Sequence, residues 1–444
     1  MTEPTLVETL GRFVAATPSE AIPDGTRARA VVSLLHNLVV ARAGRGRYPA
    51  AELVARRFHA QPAIATLLAC GSKVEPAAAA MANGALFHAR SQDDTHPGST
   101  SHPGAPVMAA ALAVAEETGA SGRDVLDAVI LGYEVLGRVG SDIHEALTGR
   151  GFRAAAVLGG FGAAAASARL MGLDAAQTAH ALAFAAHGAG GLSQVWIEGS
   201  AEYPMQLGQG ARHGVEAARL ASCGMTAARA ILEGSRGFDL AYAGGAAAPR
   251  RILSGLGVDW QMDAATVKPF PACAILQGPL EALRDGLAPG ERVQQIALHL
   301  PPFEAAYPGI DNPGPVWPSP GATKMSAQFC LGVMALDGRL RLADLSRLDD
   351  PAIAAMAGRV AVRSDPALAA RLCRIEVALD GGDTRVLRVA RAAGQPDVAG
   401  IRRFALDMAE DMAMTPETVA QLVAAVEGLD TAPNVAALMR AATA

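Results

Sequence analysis

Aromatic side chains and lysines are the scarcest components of this sequence. Only 4% of its 444 residues are Phe, Trp or Tyr, although 51% are hydrophobic. A core of that make-up must be built from Ala, Leu, Val and Gly. Small side chains let helices approach closely, so the composition predicts a tightly packed, largely helical protein. Lysine occurs at three positions, Lys73, Lys268 and Lys324, and arginine supplies the other cations. Each lysine is therefore worth inspecting, because an ammonium gives up its proton more readily than a guanidinium. The net charge is −5 and no basic run occurs, which argues against nucleic acid and anionic membranes as partners. The five cysteines (70, 223, 273, 330 and 373) are odd in number and form no CxxC pair. That pattern predicts reduced thiols in a cytoplasmic protein, with neither a disulfide framework nor structural zinc. The opening Met-Thr-Glu-Pro-Thr-Leu lacks the basic and apolar regions of a signal peptide. The most membrane-like run, 154–168, is mostly Ala and Gly and is closed by Arg169, so it reads as a buried helix.

The length suits two or three domains. From Thr5 to about residue 260 the pattern is helical. Ser121-Gly-Arg-Asp124 resembles a capping box before 125–140, Asp174 caps 175–187, and Pro204 opens a helix reaching Ser222. After Asp263 the texture changes. Val293–Leu300 alternates as a half-buried strand does, and Cys373–Leu379 and Arg385–Val389 flank Asp380-Gly-Gly-Asp383 as a hairpin would. Helical pattern returns at 324–335 and again from Ile401, with Thr415 as N-cap and Pro416 at the first helical position. The expectation is a mainly α protein: a large all-helical domain with an inserted smaller α+β lid domain. The division is 1–263 helical, 264–395 α+β, and 396–444 returning to the helical domain.

Between an Ala-rich helix pattern at 75–87 and another at 105–115 lies the most polar segment, from His88 to Gly104. It holds three imidazoles, the adjacent Asp93 and Asp94, Arg90 and several hydroxyls. Such a loop must satisfy its polar groups with solvent, with protein or with a ligand. Asp93, Asp94, His96 and His102 are residue types that hold divalent metals, but their spacing fits no defined metal motif, and aspartates also cap loop amides. As a proton-transfer site, adjacent carboxylates raise one another's pKa and an imidazole titrates near neutrality. A surface loop with ordinary capping residues is the plainer alternative. Further candidates are Lys268, fixed before Pro269 where the second texture begins, Arg153 as a carboxylate clamp, and Tyr203 and Gln206 at a helix start. Each has a bland counterpart: a solvated linker lysine, a surface arginine, a packing helix.

These segments together resemble the MmgE/PrpD family. The resemblance is carried by Asn83-Gly84, Phe87-His88, Asp93-Asp94-Thr95, His102-Pro103-Gly104, Gly132-Tyr133-Glu134, Arg138, 208–214, Lys268-Pro-Phe-Pro-Ala-Cys273 and Ala327-Gln-Phe329. It implies a helical domain made from both chain ends, a small α+β lid, a homodimer, and action on small di- or tricarboxylates without a required metal or organic cofactor. Thr95, His102 and Lys268 match family site positions, and Tyr307 corresponds to a family tyrosine. Four positions depart: Ser91 stands where dehydratase- and decarboxylase-like members carry aspartate, Arg153 and Gln277 where they carry histidine, and Tyr203 where they carry lysine.

A carboxylate and an imidazole are thus replaced by a hydroxyl and a permanent cation, which alters the chemistry available. The resemblance implies a cofactor-independent lyase or isomerase that moves a proton next to a carboxylate. In it His102 shuttles the proton, Lys268 binds a carboxylate or carries a second proton, and Asp93 and Tyr203 assist. Arg90 and Arg153 neutralise substrate charge, while Ser91, Asp94, Thr95, Gln206 and Tyr307 position it. The alternative is a member that kept the fold, lost catalysis and binds a small carboxylate as a regulatory protein.

Overall fold

The computed structural model describes residues 3–44, 63–245, 249–288, 290–389 and 396–444, and the chain is mainly α with a smaller α+β part. It divides into two units. The first comprises Met1–Leu192, Pro204–Val267 and Gln395–Ala444; the second comprises Ser193–Tyr203 and Lys268–Gly394. The expected boundary at residue 395 lies outside the described residues.

In the first unit the helices carrying the polar loop are apolar on every face. All thirteen residues of Pro76–His88 are buried, as are Gly104–Ala115 of the following Gly104–Thr118 helix. Glu75 starts the former by accepting from the amides of Ala77 and Ala78, with Pro76 in the first turn. Both pack against the glycine- and alanine-rich helices Gly122–Gly140 and Ala154–Leu170 or their neighbours. Capping boxes at Ser121/Asp124 and Asp174/Gln177 fix the starts of Gly122–Gly140 and Ala175–His187. The C-terminal helices Val398–Asp407, Pro416–Glu427 and Ala436–Thr443 lie against Asp24–Ala43.

Helices this smooth come very close. An added Cβ at Gly208, on the Tyr203–Ser222 helix, would stand 2.3 Å from the carbonyl oxygen of Met81. That oxygen is backbone within a buried helix and cannot retreat cheaply. Gly208→Ala is therefore expected to destabilise the protein by about 3 kcal/mol, at the upper end of overpacking costs. A urea midpoint equal to wild type would show that the two helices can part without penalty.

The second unit holds a four-stranded sheet of order β4-β3-β5-β6, with β3 Val293–Leu300, β4 Val360–Ser364, β5 Cys373–Leu379 and β6 Thr384–Val389; β1 and β2 are the two-residue pair Ala65–Thr66 and Lys73–Val74 of the first unit. β3 runs parallel to β4 and antiparallel to β5, and β5 turns into β6 through the 380–383 hairpin. β5 alternates buried and half-buried residues, placing Cys373, Ile375, Val377 and Leu379 in the core with Phe270, Leu280 and Phe329. No helix among the described residues is long and apolar enough to cross a membrane.

Candidate active site

The His88–Gly104 loop is held on both sides. Thr95 and Thr266 exchange backbone hydrogen bonds of 2.8 and 2.7 Å, and the His96 amide donates to Ser101 at 3.0 Å. Ser91 and Thr100 occupy the left-handed region (φ 53° and 47°), an uncommon conformation for residues with a Cβ and one found where surrounding contacts over-determine the backbone. Inside the turn, His96 Nδ1 bonds Ser99 Oγ at 2.8 Å, and Ser99 Oγ bonds Ser101 Oγ at 2.5 Å. Burial, together with the nearby His144, pushes the His96 imidazole down to about 4, so it is a neutral brace.

Asp94 faces inward. Its carboxylate accepts from the Gly104 amide at 3.0 Å and from the Tyr133 hydroxyl, with Asn37 alongside. Burial pushes it up to about 7 against these donors, with the neighbouring Asp93 adding to the rise. Its ring partner Tyr133 is held well above the usual phenol range by the same burial and by Asp94. Asp94 thus ties the loop to the start of the Gly104–Thr118 helix.

Asp93 points the other way, onto His88. The His88 Nδ1 lies 2.8 and 2.9 Å from the two carboxylate oxygens, and Arg153 Nη2 donates to His88 Nε2. A guanidinium has no lone pair to offer, so His88 Nε2 must accept. The proton therefore sits on Nδ1 and is donated to Asp93, and His88 is neutral. Arg153 Nη1 continues to Gln206 Oε1 at 3.2 Å, and Gln206 Nε2 donates to the Leu192 carbonyl at 3.2 Å. Asp93, His88 and Arg153 are all buried.

His102 closes the group at its half-buried rim. Its ring lies 4.8 Å from that of His88. Its Nδ1 is 2.9 Å from the Asp94 carbonyl and 3.3 Å from Thr95 Oγ1. A carbonyl can only accept, so Nδ1 carries the hydrogen and Nε2 the basic lone pair. His88, Asp93 and His102 offer atoms within 4.8 Å of one another, a grouping of metal-ligating types. The Asp93 carboxylate and His88 Nδ1 are, however, bound to each other, and the Arg153 cation adjoins the other nitrogen, so these residues fit a metal ion poorly.

Asp93, Asp94, Thr95, His102, Arg153 and Gln206 thus come together in the first unit. Arg90 does not join them: its guanidinium donates to Gln92 Oε1 at 3.2 Å and pairs with Asp411 at 2.8 Å. Ser91 sits in the tight turn that follows the Pro76–His88 helix. His88 was absent from the sequence-based set, although its place at the helix end, five residues before an aspartate, was a usable signal. Arg138 is structural, donating to the carbonyls of Ile252, Ser254, Gly255 and Asp259 and pairing with Glu134.

Lys268, Tyr203 and Tyr307 belong to the second unit. Lys268 is buried and Tyr307 half-buried, its ring edge-on to Phe303. Gln277, where an imidazole was expected from the resemblance, accepts from the Phe270 amide at 3.0 Å. It donates to the carbonyls of Phe270, Ala272 and Cys273 at 3.1, 3.0 and 3.3 Å, so it clips the loop that begins at Lys268. Lys324 Nζ donates to the Tyr203 hydroxyl at 2.6 Å, a pairing no sequence pattern announced.

Two family models match the chain: the MmgE/PrpD N-terminal domain over residues 8–250 and the MmgE/PrpD C-terminal domain over 270–399. The chain belongs to the MmgE/PrpD family. It is 29% identical over 356 residues to cis-aconitate decarboxylase of Aspergillus terreus, covering 75% of this chain and 72% of that protein. It is likewise 29% identical over 336 residues to cis-aconitate decarboxylase of Homo sapiens, covering 70% and 67%. A cis-aconitate decarboxylase-like protein of Aspergillus oryzae shares 32% over 222 residues, 47% of this chain and 46% of that one. Within this MmgE/PrpD protein, the Arg153–His88–Asp93 chain is built from one residue of the family pattern's departures and two of its matches.

Proposed function

We propose that this MmgE/PrpD protein is a cofactor-independent enzyme, a lyase or an isomerase, that moves a proton on the carbon next to a carboxylate of a small polycarboxylic acid. The observation that carries this reading is the fixed tautomer of His102. The Asp94 carbonyl holds the hydrogen on Nδ1, which leaves Nε2 as a base at the half-buried edge of an otherwise buried polar group. In the step we propose, Nε2 takes the proton and the C–H electron pair moves into the neighbouring carboxylate. A proton from solvent then adds on the other face, giving an isomer and leaving the first proton on Nε2. Alternatively the electron pair expels hydroxide from the next carbon, which takes the proton from Nε2 and leaves as water, giving an alkene.

The Asp93 carboxylate, within 4.8 Å of a His102 nitrogen, favours the imidazolium formed in that step. His88 transmits the position of Asp93 to Arg153, and Thr95 steadies the His102 ring. Within the first unit we assign Arg153 the task of compensating carboxylate charge and Gln206 that of orienting the acid. The relatives' activity on cis-aconitate supports a polycarboxylate substrate and a lyase. The departures at Ser91, Arg153, Tyr203 and Gln277 support a substrate or outcome of its own.

Proton NMR in deuterium oxide with a panel of saturated di- and tricarboxylates tests this. Loss of the C–H signal adjacent to a carboxylate without alkene signals is expected for an isomerase, and new alkene signals for a lyase. One feature favours a second reading: Arg153 occupies the His88 nitrogen that a second acid–base group would need. Tight calorimetric binding of an acid that undergoes neither exchange nor conversion would establish that binding-only role and overturn the enzymatic one.

A further inference from the structure

A cavity of about 590 Å³ is lined, within the first unit, by the helices Leu6–Ala16 and Ala175–His187 and by the segment that carries Ala228 and Arg229. That volume is in the range that small organic ligands occupy. It shares no residue with the group formed by His88, Asp93 and His102. Its three walls are tied to one another. The two helices touch at Gly11, where an added Cβ would stand 2.7 Å from the Ala179 amide nitrogen. Arg229 pairs with both carboxylate oxygens of Glu8, at 2.5 and 3.1 Å, and the Leu6 amide donates to Glu233 at 3.1 Å. The Ala227 amide donates to His180 Nδ1 at 3.2 Å. A cavity braced on three sides is formed before any ligand arrives.

Its lining divides into two kinds of surface. Val7, Ala175, Ala176, Ala179 and Ala228 supply methyl-rich area on which a hydrocarbon body can leave water. Among the charged groups, Glu8 is answered by Arg229 and by the Thr5 amide at 2.8 Å. Arg12 is not answered: it is exposed, and among the described residues it meets neither a carboxylate nor another acceptor. His180 is half-buried. Because its Nδ1 accepts from an amide, the neutral ring carries its hydrogen on Nε2, which meets no partner among the described residues. Two arginines against one glutamate leave the lining one positive charge in excess. The unanswered guanidinium can grip an oxyanion with two N–H groups, and the imidazole adds a donor.

We propose that this cavity is a binding site for an amphipathic organic anion, a hydrocarbon body that carries one carboxylate or phosphate head. Val7 and the alanine methyls receive the body, and Arg12 with His180 Nε2–H receives the head. A small polycarboxylic acid has no such body, and its several charges have a single unanswered cation to meet, so it is not the ligand this cavity fits. The occupant bridges the Leu6–Ala16 helix to its neighbours and raises the melting temperature when it binds.

Two fluorescent probes with one shared body test this: 8-anilinonaphthalene-1-sulfonate and its uncharged counterpart N-phenyl-1-naphthylamine. In titrations of the full chain, one sulfonate is expected to bind per chain, about 10-fold tighter than the neutral probe. Arg12→Met removes a charge from an exposed position and should erase that preference without changing the ligand-free melting temperature. Ala176→Trp fills the cavity and should weaken both probes about 10-fold or more, and Ala228→Trp serves from another wall if the first variant does not fold. The competitors 1-naphthoate and 1-naphthyl phosphate should displace the sulfonate, the stronger of them revealing the preferred head, whereas cis-aconitate should not. Sulfonate binding that is unchanged in Arg12→Met and in the cavity-filling variant would overturn the site. So would displacement by cis-aconitate as readily as by the naphthyl acids, or by neither naphthyl acid.

Discussion

His102→Ala is expected to lower kcat by about 100-fold or more, the usual contribution of a positioned general base. The folded protein should survive the change. His102 is half-buried, and losing the bonds of Nδ1 with the Asp94 carbonyl and Thr95 Oγ1 costs roughly 1 kcal/mol. The contrast between a large kinetic and a small thermodynamic effect is what marks a reacting group apart from a framework one. Added imidazole should restore part of the lost turnover in the variant, since the alanine leaves a space of the right shape beside the Asp93 carboxylate. The same addition should leave wild type unaffected. Near-wild-type turnover in His102→Ala would remove the base from the mechanism, and a variant with normal melting but no rescue would point to a positioning role instead.

The Asp93–His88–Arg153 chain shows why sequence reading reached some of these residues and not others. Much that is local was legible. The capping boxes at Ser121 and Asp174 and the N-cap at Thr415 follow from residue types three positions apart. The β5–β6 hairpin follows from alternation around two glycines. One start was misplaced by three residues: the helix expected from Lys324 begins at Ala327, because Ser326 offers its hydroxyl to the Phe329 amide and ends the preceding turn. That signal was present, and the apolar pattern running through it masked it.

Pairings across long stretches of chain were not legible. Arg153 meets His88 from 65 residues away, and Lys324 meets Tyr203 from 121. Composition and periodicity describe the neighbourhood along the chain, whereas these contacts depend on how uniformly apolar helices settle against one another. Pro76–His88 is buried all round, so no amphipathic stripe indicates which side its last histidine faces. The segment as a candidate site was visible from its polarity; the division of labour within it was not. Adjacent Asp93 and Asp94 look equivalent in sequence, yet one supports an imidazole and the other braces a helix start. Arg90 and Arg153 look equally suited to a carboxylate, yet Asp411 claims the first.

That difference between the two aspartates has a measurable consequence for stability. Asp94 is fully buried and its carboxyl is pushed up to about 7 from an ordinary value of 3.8. Between those values the folded protein holds a proton that the unfolded chain has released, so unfolding releases a proton and stability falls as pH rises. The contribution is complete below pH 3.8 and gone above about 7. A shift of this size corresponds to roughly 4 kcal/mol. Asp94→Asn cannot ionise. Its carbonyl can still accept from the Gly104 amide, and its NH₂ can donate to the Tyr133 oxygen, so the brace is kept in a different polarity. Relative to wild type, the variant is therefore expected to gain roughly 4 kcal/mol in unfolding free energy between pH 4 and pH 8. Urea titrations at the two pH values measure that difference directly, and parallel pH profiles for the two proteins would mean that Asp94 keeps its charge inside the folded chain.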